Sequence, residues 1–267
     1  MNQSEQKQIM MNNLNAKIKA RSAILKEAKI HETEDGFTYI DADLPSYNFN
    51  VVTLPETNRP LNPNTFKEIM AYYNSRKYPI NVWCWSQQTD IITLFKEAEL
   101  KDYGTDYLGM IAELRSFRPI VPDPDADCHF EKASSPEQLV TFGNILSSLY
   151  AGSNEEKQIQ AYFEKAAQSC LLEDSRFQHV IGYYQGKPVS IGSIFFSDSV
   201  AGLYDIATLE SERGKGLGTK LTSYLLNSAK GKGAAYCTLQ ASPGAENIYR
   251  KLGFDTIDRL KVFVNFE

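Results

Sequence analysis

The segment ESERGKGLGTKL, Glu210 to Leu221, constrains the chain more tightly than any other. It places Gly214, Gly216 and Gly218 within five positions, directly ahead of the apolar run LTSYLL. Glycine weakens a helix by about 1 kcal/mol against alanine, so three of them at a helix start need a reason. The preceding GLYDIATL reads as a strand. A strand that passes through bare backbone into a helix exposes unpaired N–H groups that converge on one point, with the positive end of the helix dipole behind them. Such a turn can cradle a pyrophosphate. It is not a Walker loop, because Gly214-Lys215 is followed by glycine, and it falls one residue short of the dinucleotide fingerprint. On this feature alone, a plain strand-to-helix turn remains the alternative.

The surrounding sequence alternates strands with helices. SPEQLVTFGNILSSLY and SNEEKQIQAYFEKAAQSC predict helices, the first opened by Ser-Pro-Glu. FQHVIGYYQGKPVSIGSIFFS predicts a hairpin. After the glycine motif come a helix stopped by two glycines, the strand AAYCTLQAS, the helix GAENIYRKL and a last strand, RLKVFVNF. This half is α/β. Toward the N-terminus, the first 35 or so residues read as a polar helix. DGFTYIDADLPSYNFNVVTL suggests strands, NPNTFKEIMAYYNSR a helix opened by Asn-Pro-Asn, and YPINVWCW an aromatic strand. DIITLFKEAELKDYGTDYLGMIAEL reads as helix, turn and strand. Between the halves, RPIVPDPDAD (118–127) holds three prolines and three aspartates and continues neither helix nor sheet. The expected division is therefore 1–118, a linker at 119–127, and 128–267.

Composition narrows the function classes. At 267 residues and 42% apolar, the chain can bury a sizeable core. A net charge of −5 argues against a general nucleic-acid or membrane-surface binder. Cys84, Cys128, Cys170 and Cys237 are far apart and read as reduced thiols, and His31, His129 and His179 have no metal-ligand spacing, so no metal is expected. MNQSEQKQIM has no apolar core of a secretory signal, and no stretch approaches the roughly 20 apolar residues of a membrane span. The expectation is a soluble, cytoplasmic protein.

LYDIATLESERGKGLGTKL and LQASPGAENIYRKLGF together resemble the two signature segments of the GNAT superfamily of acyl-CoA-dependent N-acyltransferases. The first matches the family's strand, its [RQ]-x-x-G-x-[GA] loop at Arg213, Gly216 and Gly218, and its helix. The second matches the strand and helix that end in Y-x-x-x-G-F, Tyr249 to Phe254. The resemblance covers about 128–267, and the N-terminal half looks like a degenerate GNAT-like repeat that lacks the cofactor loop.

The resemblance implies an α/β fold with a mixed sheet, a GNAT-like domain preceded by a second, degenerate one. It implies an N-acetyltransferase that moves an acetyl group from acetyl-CoA to a primary amine, of a small molecule or a peptide, by direct attack in a ternary complex. The backbone of Ile206, Ala207 and Thr208 would pair with the pantetheine amides like an added strand. Arg213, Gly214, Lys215, Gly216, Leu217, Gly218 and Thr219 would hold the pyrophosphate, with Lys220 a further source of charge. Tyr249 would be the general acid for the leaving thiolate, the alternative being a packed core tyrosine, and an N–H near Thr208 the oxyanion donor. Where some relatives carry a glutamate this chain has Cys237, and where many carry an asparagine it has Ser242. Asp205 and Glu210 are left to draw the proton through water, or to be structural. Two other accounts stay open: a non-catalytic acyl-CoA sensor and a structural protein with a vestigial loop. One acetyl-CoA per chain is expected, because Gly36, Gly104 and Gly109 of the N-terminal half are too scattered for a second cradle, and a monomer is favoured.

Overall fold

Asn2 opens the first helix with a capping box. Its side chain accepts from the Glu5 N–H at 2.9 Å while Glu5 Oε2 accepts from the Asn2 N–H at 2.8 Å, satisfying two donors that a helix start leaves over. Helix α1 then runs Gln3–Ser22. The computed structural model describes residues 1–55, 61–117 and 127–266, so the expected linker, Asp127 aside, lies outside the described residues. The polar N-terminal helix is shorter than the sequence suggests. Lys29–Glu32 forms strand β1 and pairs antiparallel with β2 (Thr38–Asp41), because Thr33 to Gly36 makes a turn with Gly36 at φ +95 and its N–H donating to Thr33 O.

The next elements are β3 (Val51–Thr53), α2 (Pro63–Arg76), β4 (Asn81–Trp85), α3 (Thr89–Glu97), β5 (Lys101–Asp102) and β6 (Tyr107–Glu113). The second half contributes β7 (Cys128–Lys132), α4 (Pro136–Ser147), α5 (Asn154–Ala167), β8 (Phe177–Tyr184), β9 (Lys187–Ser197) and β10 (Val200–Thr208). It ends with α6 (Leu217–Gly231), β11 (Tyr236–Ala241), α7 (Glu246–Lys251) and β12 (Asp255–Val264). The helices opened by Asn-Pro-Asn and Ser-Pro-Glu start where the sequence puts them, at Asn62 and Ser135, and those two and Ser153 each accept a backbone N–H of the turn they open.

All these strands join one sheet in the order β1-β2-β3-β4-β12-β6-β11-β10-β9-β8-β7, with β5 beside β12. Pairing is antiparallel except for β3–β4 and β10–β11. Each of those parallel pairs is bridged by a helix, α2 in one half and α6 in the other. The two halves therefore repeat the same strand–helix–strand unit about the centre of the sheet. The centre itself is an exchange. β6, which precedes residues 118–127 in sequence, lies between β11 and β12, and the C-terminal strand β12 lies between β4 and β6.

Helix α6 shows how sequence period becomes packing. Leu217, Leu221 and Leu225 repeat every four residues, and all are buried with Leu226 and Ala229 against the sheet face that carries Ile194, Leu203 and Cys237. α4 and α5 join α1 in a different core, around Phe142, Phe163, Phe177 and Phe195. α2 and α3 cover the β2–β4 region around Phe66, Tyr73 and Phe95.

α1 is fixed by a polar contact. Asn13 is fully buried; its Nδ2 donates to Ser197 Oγ at 2.7 Å and, at 3.3 Å, to the carbonyls of Phe195 and Val200. The Tyr204 hydroxyl donates to Asn13 Oδ1 at 2.6 Å. One side chain thus ties the helix to β9 and β10. Asn13→Ala strands the tyrosine hydroxyl and is expected to lower unfolding free energy by about 2–4 kcal/mol in urea titrations. Asn12→Ala, which only loses a surface contact with Gln8, should cost less than about 0.5 kcal/mol. Equal losses in the two variants would contradict the pinning role.

Candidate active site

β10 pairs with β9 along its length, but the register slips between Tyr204 and Ala207, so β10 carries an extra residue there. Asp205 sits at the slip with φ +54, a left-handed conformation that aspartate tolerates better than most residues. On its other side β10 is joined to β11 only from Val200 to Gly202, opposite Tyr236 to Thr238. Beyond Gly202 and Thr238 the two strands part. Leu203 to Thr208 then present one backbone edge that no strand among the described residues covers, and that edge leads straight to the start of α6.

That start is bare. Glu210–Glu212 forms a short 3-10 turn, and the Arg213 side chain folds back, Nε donating to Thr208 O at 3.2 Å. Gly214 and Gly216 have φ +80 and +75, and Gly216 caps α6 with no side-chain hydrogen bond. A Cβ added at either glycine would have nothing within 4 Å, and one at Gly218 would meet only Thr208 Oγ1 at 3.9 Å. The fold itself has no steric need for hydrogen at Gly218. The N-terminal counterpart is closed by contrast: Asn62 Oδ1 accepts from Asn64 N at 3.0 Å, and Pro63 has no N–H to offer. Of these two helix starts, that of α6 has neither a side-chain cap nor a proline in its first turn.

Where β10 and β11 part, a cavity of about 330 Å³ opens. Its walls include Leu203, Tyr204, Asp205 and Ile206 of β10, Leu239 and Gln240 of β11, and the following Ser242 and Tyr249. α1 adds Leu14, Lys17, Ile18 and Arg21, and the N-terminal half adds Asn48, Val51, Asn81, Trp83 and Tyr107. A smaller cavity shares Lys17, Arg21 and Asp205 with it and reaches His179.

Charges in this wall are tightly coupled. Burial alone would push the Asp205 carboxyl up, but the Lys17 ammonium 3.8 Å away, the Arg21 guanidinium and the Ser193 hydroxyl at 2.7 Å hold it below the ordinary carboxylate range. Burial pulls Lys17 down to about 8 against the opposing charge of Asp205. The Lys17 ammonium also lies 4.5 Å from the centre of the Tyr204 ring. Burial raises the Tyr249 phenol to about 12, so it stays protonated at neutral pH.

The residues singled out in the sequence are only partly brought together. Ile206, Asp205 and Tyr249 line the cavity. Arg213, Gly214, Lys215 and Gly216 are exposed at the α6 start, and Leu217 is buried beneath it. Gly218 and Thr219 follow on the first turn. Lys215 pairs with Glu212 at 2.7 Å, and Glu210 lies in the exposed turn, away from the cavity lining. Cys237 is fully buried in the α6 core, so the position that carries a glutamate in some relatives supplies no base here. The sequence reading missed Lys17, Arg21 and Asn81. A signal existed for two of them: Asn13, Lys17 and Arg21 recur every four residues, beside the apolar Leu14 and Ile18. Among the described residues no cluster of His, Cys, Asp and Glu could hold a metal ion, and no helix is long and apolar enough to cross a membrane.

Residues 142–254 match the model of the Acetyltransferase (GNAT) family. By that match residues 142–254, somewhat less than half of the chain, carry a GNAT acetyltransferase domain. A solved GCN5-related N-acetyltransferase from Kribbella flavida is similar over 96% of this chain and 95% of that one, with a TM-score of 0.69 at 16% identity. A functionally unknown conserved protein from Staphylococcus epidermidis ATCC 12228 gives 0.63 at 12% identity, over 89% and 94%. A tandem GNAT protein from the clavulanic acid biosynthesis pathway gives 0.60 at 11% identity, over 90% and 83%. At these identities the likeness is one of fold, and it extends over both halves. No curated protein matches the sequence.

His179 reports on this GNAT domain's polar wall. Burial pulls its imidazole down to about 4 from an ordinary 6.5, among the rings of Phe142, Phe163 and Phe177. Between those values the unfolded chain binds a proton that the folded chain refuses, so stability falls as pH drops through this window. The loss should approach about 3 kcal/mol near pH 4. His179→Gln is expected to flatten that part of the stability–pH curve; an unchanged slope would mean that another group sets it.

Proposed function

We propose that this protein is an N-acetyltransferase that moves an acetyl group from acetyl-CoA to a primary amine by direct attack. The parting of β10 from β11, with an uncovered β10 edge running into the bare start of α6, carries this reading. Acetyl-CoA would supply a thioester whose carbonyl carbon the amine can attack. The edge at Ile206, Ala207 and Thr208 suits pantetheine amides. The amides of residues 214–219, with open space at Gly214, Gly216 and Gly218, suit a pyrophosphate.

In the transfer an N–C bond forms, the C–S bond breaks, one proton leaves the amine and one reaches the sulfur. Tyr249, protonated and lining the cavity, is placed to give the second proton. Asp205 is ionised at neutral pH on the same cavity and draws the amine's proton outward through water. The N–H groups near Thr208 serve the developing oxyanion. We further propose that residues 1–118 act as a unit that supports the acceptor side, and that 128–267 hold the cosubstrate.

Two experiments test this reading. Calorimetry should find one acetyl-CoA per chain. Gly218→Ala should keep or raise the melting temperature, since alanine favours the helix, whereas Gly218→Glu should fold and lose acetyl-CoA binding. Full affinity in a folded Gly218→Glu protein would remove the loop from the site. Tyr249→Phe should lower turnover roughly 10–10⁴-fold with little change in acetyl-CoA affinity, the range for a lost general acid. Wild-type turnover in that variant would make Tyr249 a core residue. Binding with no thiol release for any amine would favour a sensor over an enzyme.

A further inference from the structure

We propose that the amine acceptor also carries a carboxylate, as an amino acid does, and that Arg21 binds this carboxylate in the cavity wall; this rests on the acyltransferase reading above. The charged residues lining the cavity are Lys17, Arg21 and Asp205, two cations and one anion. Asp205 is already engaged by Lys17 and by the Ser193 hydroxyl. Arg21 has no carboxylate partner among the described residues. Its guanidinium lies 4.9 Å from the Phe49 ring centre, one Nη donates to Asn48 O at 2.6 Å, and its Nε is buried with no hydrogen-bond partner.

Glu155, in the first turn of α5, does not fill that role. Glu155 accepts from Ser46 Oγ at 2.6 Å, Asn48 Nδ2 at 2.7 Å and Tyr47 N at 3.3 Å. The Arg21 guanidinium is half-buried and feels the charge of Asp205 without an ion pair to it, its buried Nε is unsatisfied, and a planar carboxylate matches its fork of donors. Two further polar atoms in the lining residues are buried without partners: Asn81 Oδ1 and Gln240 Nε2. An unpaired acceptor and an unpaired donor on residues of the same lining suit a small polar molecule more than an alkyl amine. The same cavity holds Ile206 and Tyr249, so a bound carboxylate sits in one compartment with the place where the amine must react. Arg21 is then the residue that selects the acceptor.

The test is a thiol-release assay with acetyl-CoA over a panel of free amino acids, each beside its C-terminal amide and its decarboxylated amine, with rates compared per unprotonated amine. At least one free acid should exceed its amide by about 10–100-fold in kcat/KM, the span of one charge-assisted contact, mostly through KM. Arg21→Gln should collapse that ratio toward one, and Arg21→Lys should retain part of it. Amides that match or beat every acid in the wild-type protein overturn the proposal, whether or not the variants fold, and so does a ratio that survives in folded Arg21→Gln. If no amine of any kind turns over, the acyltransferase reading fails separately. Thermal shifts with the same compounds then decide the carboxylate: acids should stabilise the wild type over their amides and lose that advantage in Arg21→Gln, and no difference in the wild type overturns it.

Discussion

The pairing of β12 with β4, and of β6 with β11, holds the molecule's two halves in one sheet. Each half closes its row of strands with a strand from the other, and β6 and β12 meet at the centre. A loose linker between two packed units would leave their relative position free. Backbone hydrogen bonds across the exchange fix it instead. Val51, Asn81 and Trp83 of one half are therefore held beside Ile206 and Tyr249 of the other, in one cavity wall.

Within that frame, α1 makes the wall polar. Asn13 ties the helix to β9 and β10, which brings Lys17, one turn on, to Asp205 at the bulge. The strained φ of Asp205 and the burial of Lys17 are each unfavourable alone. They persist because the carboxylate receives an ammonium and a hydroxyl at once. Beyond Gly202 no described strand covers the β10 edge, because β11 parts from β10 after Thr238 while it keeps β6 on its other side. The same sheet thus supplies both a charged wall and a backbone edge.

Local signals carried well from sequence to structure. The caps at Asn62, Ser135 and Ser153 fix helix starts from neighbouring residues alone, and the glycines of 214–218 mark a strand-to-helix turn for the same reason. The GNAT resemblance of the second half was legible from two segments whose residues are fixed by local geometry. What could not be read depends on distant partners. Lys29–Glu32 looks like the continuation of a polar helix until β2 is there to pair with it. The exchange of β6 and β12 leaves no mark in either strand, since the continuous burial of β6 and the partial alternation of β12 suit any neighbour. Lys17 and Arg21 have a helical spacing that also fits a solvated face, and only the packing of α1 across the sheet turns that stripe inward. The role of Cys237 is decided by burial against α6, which its own segment does not announce.

The exchanged strands bear on how such a gene can change. A tandem pair joined only by a linker can discard its idle copy by a single deletion, and the working copy survives. Here the half without clustered glycines supplies β6 to the sheet of the other, and takes β12 in return. A stop codon after Phe254 would take β12 from the first half's row of strands, and excision of the first 118 residues would take β6 from the second's. The two halves are thereby a single unit of inheritance, in which each is needed for the strand it lends.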